Sequence, residues 1–217
     1  SMDSLGNCDT LMFKLTDACW GKFLETAGNP VSFPYNCKGP LTNPEEERQC
    51  ACPANLLAFD ADGDSDNDLA LGRLSFKNMV LLTNGGDANS ASITAQNLSF
   101  PSNTTPINIL YPVGFYFDVD NDSIRDLIIS TNIQSGTENF TSVWLYSNSG
   151  TNNFPVFNFQ KNNFLQETMI DLGSGCNPAF FDHNADGLLD MVVGNYGYFN
   201  AVTGRYEGKL ALFENTG

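Results

Sequence analysis

The chain is predicted to be all-β, built of small four-stranded antiparallel sheets that stack as β-propeller blades. Three observations carry that expectation. A nine-residue acidic loop occurs three times, apolar runs flank every copy, and a further apolar run closed by Asn-x-Gly follows each one. The loops begin at Asp60, Asp118 and Asp182, spacings of 58 and then 64 residues. A unit of that length with several short strands is a sheet unable to bury both faces alone, so neighbouring units must cover one another.

The first loop reads Asp60-Ala61-Asp62-Gly63-Asp64-Ser65-Asp66-Asn67-Asp68. The second reads Asp118-Val119-Asp120-Asn121-Asp122-Ser123-Ile124-Arg125-Asp126, and the third Asp182-His183-Asn184-Ala185-Asp186-Gly187-Leu188-Leu189-Asp190. Each sets oxygen-bearing side chains at positions 1, 3, 5 and 9. Hard cations such as Ca²⁺ take six to eight oxygen ligands, largely carboxylate and carbonyl, so this spacing points to about three calcium sites. An EF-hand begins the same way but requires a Glu at position 12 and flanking helices. Leu71, Ile129 and Val193 stand at that position, and apolar runs rich in β-branched and aromatic residues lie on both sides. Strand, loop, strand is therefore expected, not helix, loop, helix.

Taken in order, residues 1–52 form a cysteine-rich lead-in or partial blade, with Leu11-Met12-Phe13-Lys14-Leu15 as a candidate strand and Pro34, Pro40 and Pro44 marking irregular connections. Residues 53–217 hold the three repeats, about 53–110, 111–174 and 175–217. In the second, strands are expected near 113–117, 126–132, 142–147 and 155–159. The turns at Asn84-Gly85-Gly86, Asn148-Ser149-Gly150 and Asn215-Thr216-Gly217 are assigned to positive φ, which Asn and Gly tolerate. Phe59, Phe117 and Phe181, each just before a loop, are expected in blade cores. The third unit carries an insertion, Tyr196 to Glu207, with four aromatics and one Arg. It reads either as a recognition loop or, more simply, as a hairpin whose tyrosines pack on the neighbouring blade.

The pattern Phe-Asp-x-Asp-x-Asp-x-x-x-Asp-Leu, an apolar strand and then Asn-Ser/Thr-Gly resembles the FG-GAP or VCBS repeat of integrin-α-type β-propellers. The bacterial secreted versions are the nearest in character. The resemblance covers roughly 53–217 and implies that positions 1, 3, 5 and 9, with the carbonyl of position 7, hold Ca²⁺. It assigns Asp60, Asp62, Asp64, Asp66 (carbonyl) and Asp68 to the first site. Asp118, Asp120, Asp122, Ile124 (carbonyl) and Asp126 make the second; Asp182, Asn184, Asp186, Leu188 (carbonyl) and Asp190 make the third. Ser65 and Ser123 stand at position 6, where the family usually has Gly, so strain of about 1 kcal/mol is expected in a left-handed conformation. The third loop keeps Gly187 but offers Asn184 in place of one carboxylate.

A formal net charge of −15 and the lack of a basic stripe argue against nucleic-acid partners. No run of about 18 apolar residues is present, so membrane insertion through a helix is not expected. Cys8, Cys19, Cys37, Cys50, Cys52 and Cys176 form an even set. In an oxidising compartment they would staple the N-terminal segment, with fifteen complete pairings open. Zinc fits poorly, since Cys50-x-Cys52 lacks the usual gap and His183 is the single histidine. Asn97, Asn103 and Asn139 open glycosylation sequons, of use only in a eukaryotic host.

No catalytic residue is assigned. His183 sits at position 2 of a calcium loop, where it should face solvent, and Gly173-Ser174-Gly175 lacks the context of a hydrolase elbow. The expected function is a calcium-binding module of a secreted or cell-surface protein, acting in adhesion or in binding a protein or glycan ligand. The alternative is a non-catalytic scaffold or carbohydrate-binding part of a secreted polysaccharide-active enzyme. Three repeats are fewer than the four to eight blades of a closed ring. Further blades of a longer chain, or self-association, are therefore expected to complete the propeller.

Overall fold

A computed structural model of the protein describes residues 16–17, 19–26, 29–36, 54–74, 77–101, 104–106, 109–133, 137, 140–200 and 202–217. Among these residues the fold is all-β, with a single turn of 3-10 helix at Trp20–Lys22. A short hairpin, β1 (Leu24–Thr26) and β2 (Asn29–Ser32), comes first. Sheet 1 is β3 (Ala54–Phe59), β4 (Asp68–Arg73), β5 (Met79–Asn84) and β6 (Ile93–Phe100); sheet 2 is β7 (Pro112–Phe117), β8 (Asp126–Thr131), β9 (Val143–Asn148) and β10 (Phe157–Lys161). Both are antiparallel, their strands side by side in chain order. In the third unit β11 (Asn177–Phe181) and β12 (Asp190–Gly194) are followed by a separate hairpin, β13 (Tyr198–Asn200) with β14 (Arg205–Glu207). The chain then returns to β12 through β15 (Leu210–Phe213). None of the sheets closes into a barrel. The strands of sheet 2 lie within two residues of those expected from sequence.

Period-two alternation divides each strand between two faces, and sheet 1 buries both. On one, Leu69, Leu71, Val80, Leu82 and Ile93 pack with Val31, Phe23 and Phe33 of the N-terminal hairpin. On the other, Phe59, Ala70, Met79 and Phe100 join Leu127, Ile129, Trp144, Tyr146 and Phe157 of sheet 2. Hence β4 is buried along its whole length. Full burial of each such side chain is worth about 1.5–3 kcal/mol, so this double layer is the main source of stability. Sheets 1 and 2 also come close at the backbone: a Cβ on Gly72 would sit 1.6 Å from the Pro112 carbonyl oxygen, so only glycine fits. Beside it the Asn55 amide donates to the Pro112 and Tyr111 carbonyls at 3.0 and 3.3 Å.

The expectation that all three pre-loop phenylalanines are core holds for Phe59, 4% exposed, and fails for the others: Phe117 is 47% and Phe181 45% exposed. The three occupy equivalent register positions, each opposite the last Asp of its loop. They differ in what covers that face. Sheet 2 covers it in sheet 1, whereas the corresponding face of sheet 2 leaves both Phe115 and Phe117 exposed.

In the insertion the packing reading prevails for Tyr198, whose ring meets Phe140 edge-on at 5.5 Å and whose hydroxyl donates to the Asp171 carbonyl. Tyr206 contacts Tyr196 and Phe199 at 5.0 and 5.3 Å within the insertion. Cys8, Cys37, Cys50 and Cys52, the candidate strand at 11–15, Pro40, Pro44 and the sequon residues Asn103 and Asn139 lie outside the described residues. Cys176 is a free, exposed thiol, and Asn97 is exposed on β6. Among the described residues no helix is long and apolar enough to cross a membrane.

Candidate metal centres

Each acidic loop joins the first two strands of a sheet and is wound around its own first carboxylate. In loop 1 Asp60 accepts from the Gly63 N–H at 2.7 Å and the Ser65 N–H at 3.1 Å. Asp118 accepts from the Asn121, Asp122 and Ser123 N–H groups, and Asp182 from those of Asp186 and Gly187. Two residues per loop must turn through positive φ to aim these donors inward. At position 6 they are Ser65 (75°), Ser123 (73°) and Gly187 (87°), as the sequence leads one to expect. At position 4 they are Gly63 (85°), Asn121 (65°) and Ala185 (63°), which sequence reasoning missed.

This winding gathers Asp60, Asp62 and Asp64 so that their oxygens lie within 4.8 Å of one another, and does the same for Asp118, Asp120 and Asp122. The acids at positions 3 and 5 are exposed, so the triplets open to solvent. Three carboxylates at this distance repel by roughly 1 kcal/mol per pair even in water, and a cation relieves that. The donor set is all oxygen and anionic, which suits a hard divalent ion and not zinc. Loop 3 differs. Asn184 Nδ2 donates to Asp186 Oδ2 at 2.9 Å, so an amide hydrogen occupies an oxygen that stays free in the other loops.

Asp68, Asp126 and Asp190 at position 9 are buried and committed to the fold. Their Oδ2 atoms accept from the position 2 N–H groups of Ala61, Val119 and His183 at 2.8, 3.3 and 2.8 Å. Their Oδ1 atoms accept from Asn84, Asn148 and Asn215 N–H at 2.7, 2.9 and 2.8 Å. A carboxylate oxygen has two lone pairs, so each keeps one for an ion. Burial pushes the Asp68 carboxyl up, against the opposing pull of the Asn84 and Ala61 N–H groups, and burial followed by the Asp64 charge raises Asp66. The Asn215 and His183 N–H groups instead hold Asp190 below its ordinary value. Of the position 7 residues, Asp66 is buried with its side chain bonded to Asn84 Nδ2 at 2.8 Å, while Ile124 is half-buried and Leu188 exposed.

The Asn-x-Gly turns therefore do more than reverse the chain, and the reason given for them from sequence needs correcting. Asn84 and Asn148 do not have positive φ. Asn84 Oδ1 accepts from the Gly86 and Ser92 N–H groups, and Asn148 Oδ1 from those of Gly150 and Val156. Glycine follows two places later because a Cβ there would strike backbone, 2.2 Å from Ser90 O at Gly86 and 2.3 Å from Phe154 O at Gly150. The separation from Asp to its Asn is 16, 22 and 25 residues, so no fixed spacing advertised the pairing. His183 is exposed, its ring edge-on to Phe181. Compared with protein-family models, curated proteins and solved structures, the chain matches none.

Proposed function

We propose that the chain is a calcium-binding module of FG-GAP/VCBS-like propeller blades, part of a secreted or cell-surface protein that acts in adhesion or in binding a protein or glycan ligand. The carrying observation is the pair of Asp triplets, at positions 1, 3 and 5 of loops wound in the same way in consecutive sheets. The third loop is wound likewise and would hold an ion more weakly, with one carboxylate fewer. Calcium is favoured over Mg²⁺ because these loops offer many oxygens in an adaptable frame, whereas Mg²⁺ demands near-ideal octahedral geometry and keeps its waters. Extracellular calcium is abundant enough to fill weak sites.

The role is non-enzymatic in this reading, with the blades as a scaffold. A carbohydrate-binding role within a polysaccharide-active enzyme draws support from a cleft of about 460 Å³ between sheets 1 and 2, lined by Phe100, Phe154, Pro155 and Val156 with Asn97 at its rim. Phe154, 58% exposed, is the aromatic in this wall that could stack on a sugar ring.

The test is thermal unfolding with millimolar Ca²⁺ against excess chelator. A ligand bound by the folded state alone adds RT ln(1 + [L]/Kd), about 2.7 kcal/mol at one hundred times Kd. Tm is expected to rise with Ca²⁺ and fall with chelator, and an unchanged melt sinks the metal assignment. A glycan array run with calcium separates the two ligand classes.

A further inference from the structure

We propose that the turn at residues 149–156, together with Tyr116, joins the first two acidic loops so that an ion held in one raises the affinity of the other. This rests on the metal-binding reading above and adds to it the residues that couple the sites.

The turn touches both loops. On one side a Cβ placed on Gly63 would lie 3.3 Å from the Phe154 ring and 3.4 Å from the Asn153 carbonyl oxygen, so position 4 of loop 1 rests against it. On the other, Asn152 Oδ1 accepts from the Arg125 N–H at 2.7 Å and Asn152 Nδ2 donates to the Ser123 carbonyl at 3.1 Å. These two bonds bracket Ile124, position 7 of loop 2. Tyr116 makes a second link. Its hydroxyl donates to the Asn152 carbonyl at 3.0 Å and accepts from Asn148 Nδ2 at 3.4 Å. Its ring lies 5.2 Å from that of Phe59, the residue before Asp60, and the Arg125 guanidinium sits 5.7 Å from its centre.

An ion in loop 1 fixes the backbone around Gly63 and so confines Asn153 and Phe154. The confined turn holds Ser123 and Arg125, and loop 2 then gives up less freedom when it takes its own ion. Coupling of this kind needs no new contact, only an element that both ligands order, and it is reciprocal. Asn152 and Tyr116 are positioning residues here, since neither is placed as a ligand.

The experiment is calorimetric Ca²⁺ titration in an Asp186→Ala background, which removes the third loop. Loop 1 affinity is compared with loop 2 intact and with Asp120→Ala, while Asp62→Ala identifies the loop 2 isotherm. Asp120→Ala is expected to weaken loop 1 by about fivefold. Asn152→Ala, or Tyr116→Phe, which keeps the ring on Phe59, should shrink that difference below about twofold. Calcium in loop 1 alone should also slow amide exchange at Thr151 and Val156, and at Ser123 and Arg125 only while Asn152 is present. If Asn152→Ala does not fold, Tyr116→Phe decides. Equal loop 1 affinity with and without Asp120, or coupling that survives both substitutions, overturns the proposal while leaving calcium binding intact. A protein that takes up no calcium overturns the binding reading itself.

Discussion

Asn148 is buried and ties together four pieces of backbone. Its N–H binds Asp126, its side-chain oxygen takes the Gly150 and Val156 N–H groups, and its amide hydrogens reach the Arg125 and Thr151 carbonyls. Truncation to Ala leaves the main-chain bond to Asp126 and removes these four part-buried side-chain bonds. Each unmet group costs about 1–3 kcal/mol, so Asn148→Ala is expected to lower stability by about 3 kcal/mol, read as a shift of the urea midpoint at constant m. A loss below about 1 kcal/mol would mean that the turn re-forms without it. The Asn was visible in the sequence as a turn residue. Its tie to Asp126 was not, because the partner lies 22 residues away across two strands.

Among the elements, the acidic loops share one geometry and differ in their surroundings. Asp68 and Asp190 are equivalent, yet the first is raised by burial and the second lowered by its N–H donors. Sheet 1 is packed on both faces, whereas β11 of the third unit is exposed along its length. A raised carboxyl contributes stability that is full below its unfolded pKa and lost as pH rises through the folded value. A lowered one contributes stability present above its unfolded pKa and lost as pH falls through the folded value. Without metal, acidification should therefore protonate Asp68 before Asp190, followed by carboxyl ¹³C shifts; the reverse order refutes the burial argument. Asn184→Asp completes a third carboxylate triplet and removes the amide that blocks Asp186. Calorimetry should show tighter calcium binding at loop 3, and an unchanged isotherm would show that the amide is no obstacle.

Across the whole molecule, burial grades from the first two sheets to the third. Leu71, Leu82, Leu127 and Ile129 are fully buried at the centre, while Phe180, Leu189 and Leu210 of the third unit are more than 60% exposed. Local opening free energies follow such differences. Amides of β4 and β8 should exchange slowest and those of β11 and β15 fastest, in chelator and in calcium alike. Equal protection throughout would mean that the third sheet is covered in solution.

The sequence by itself determined the all-β class, the strands of the second repeat and the acidic triplets, because these depend on alternation and on spacings within nine residues. The strained serines at position 6 were expected only through the resemblance, from a family that usually carries Gly there. Only the tertiary structure decided which faces are core. Phe59 and Phe117 have the same local pattern, and sheet 2 covers the first while nothing comparable among the described residues covers the second. It likewise decided that position 9 carboxylates anchor the hairpins and that one turn leans on two loops. Those contacts join residues brought close by sheet stacking, at separations that vary from unit to unit, and no periodicity along the chain encodes them.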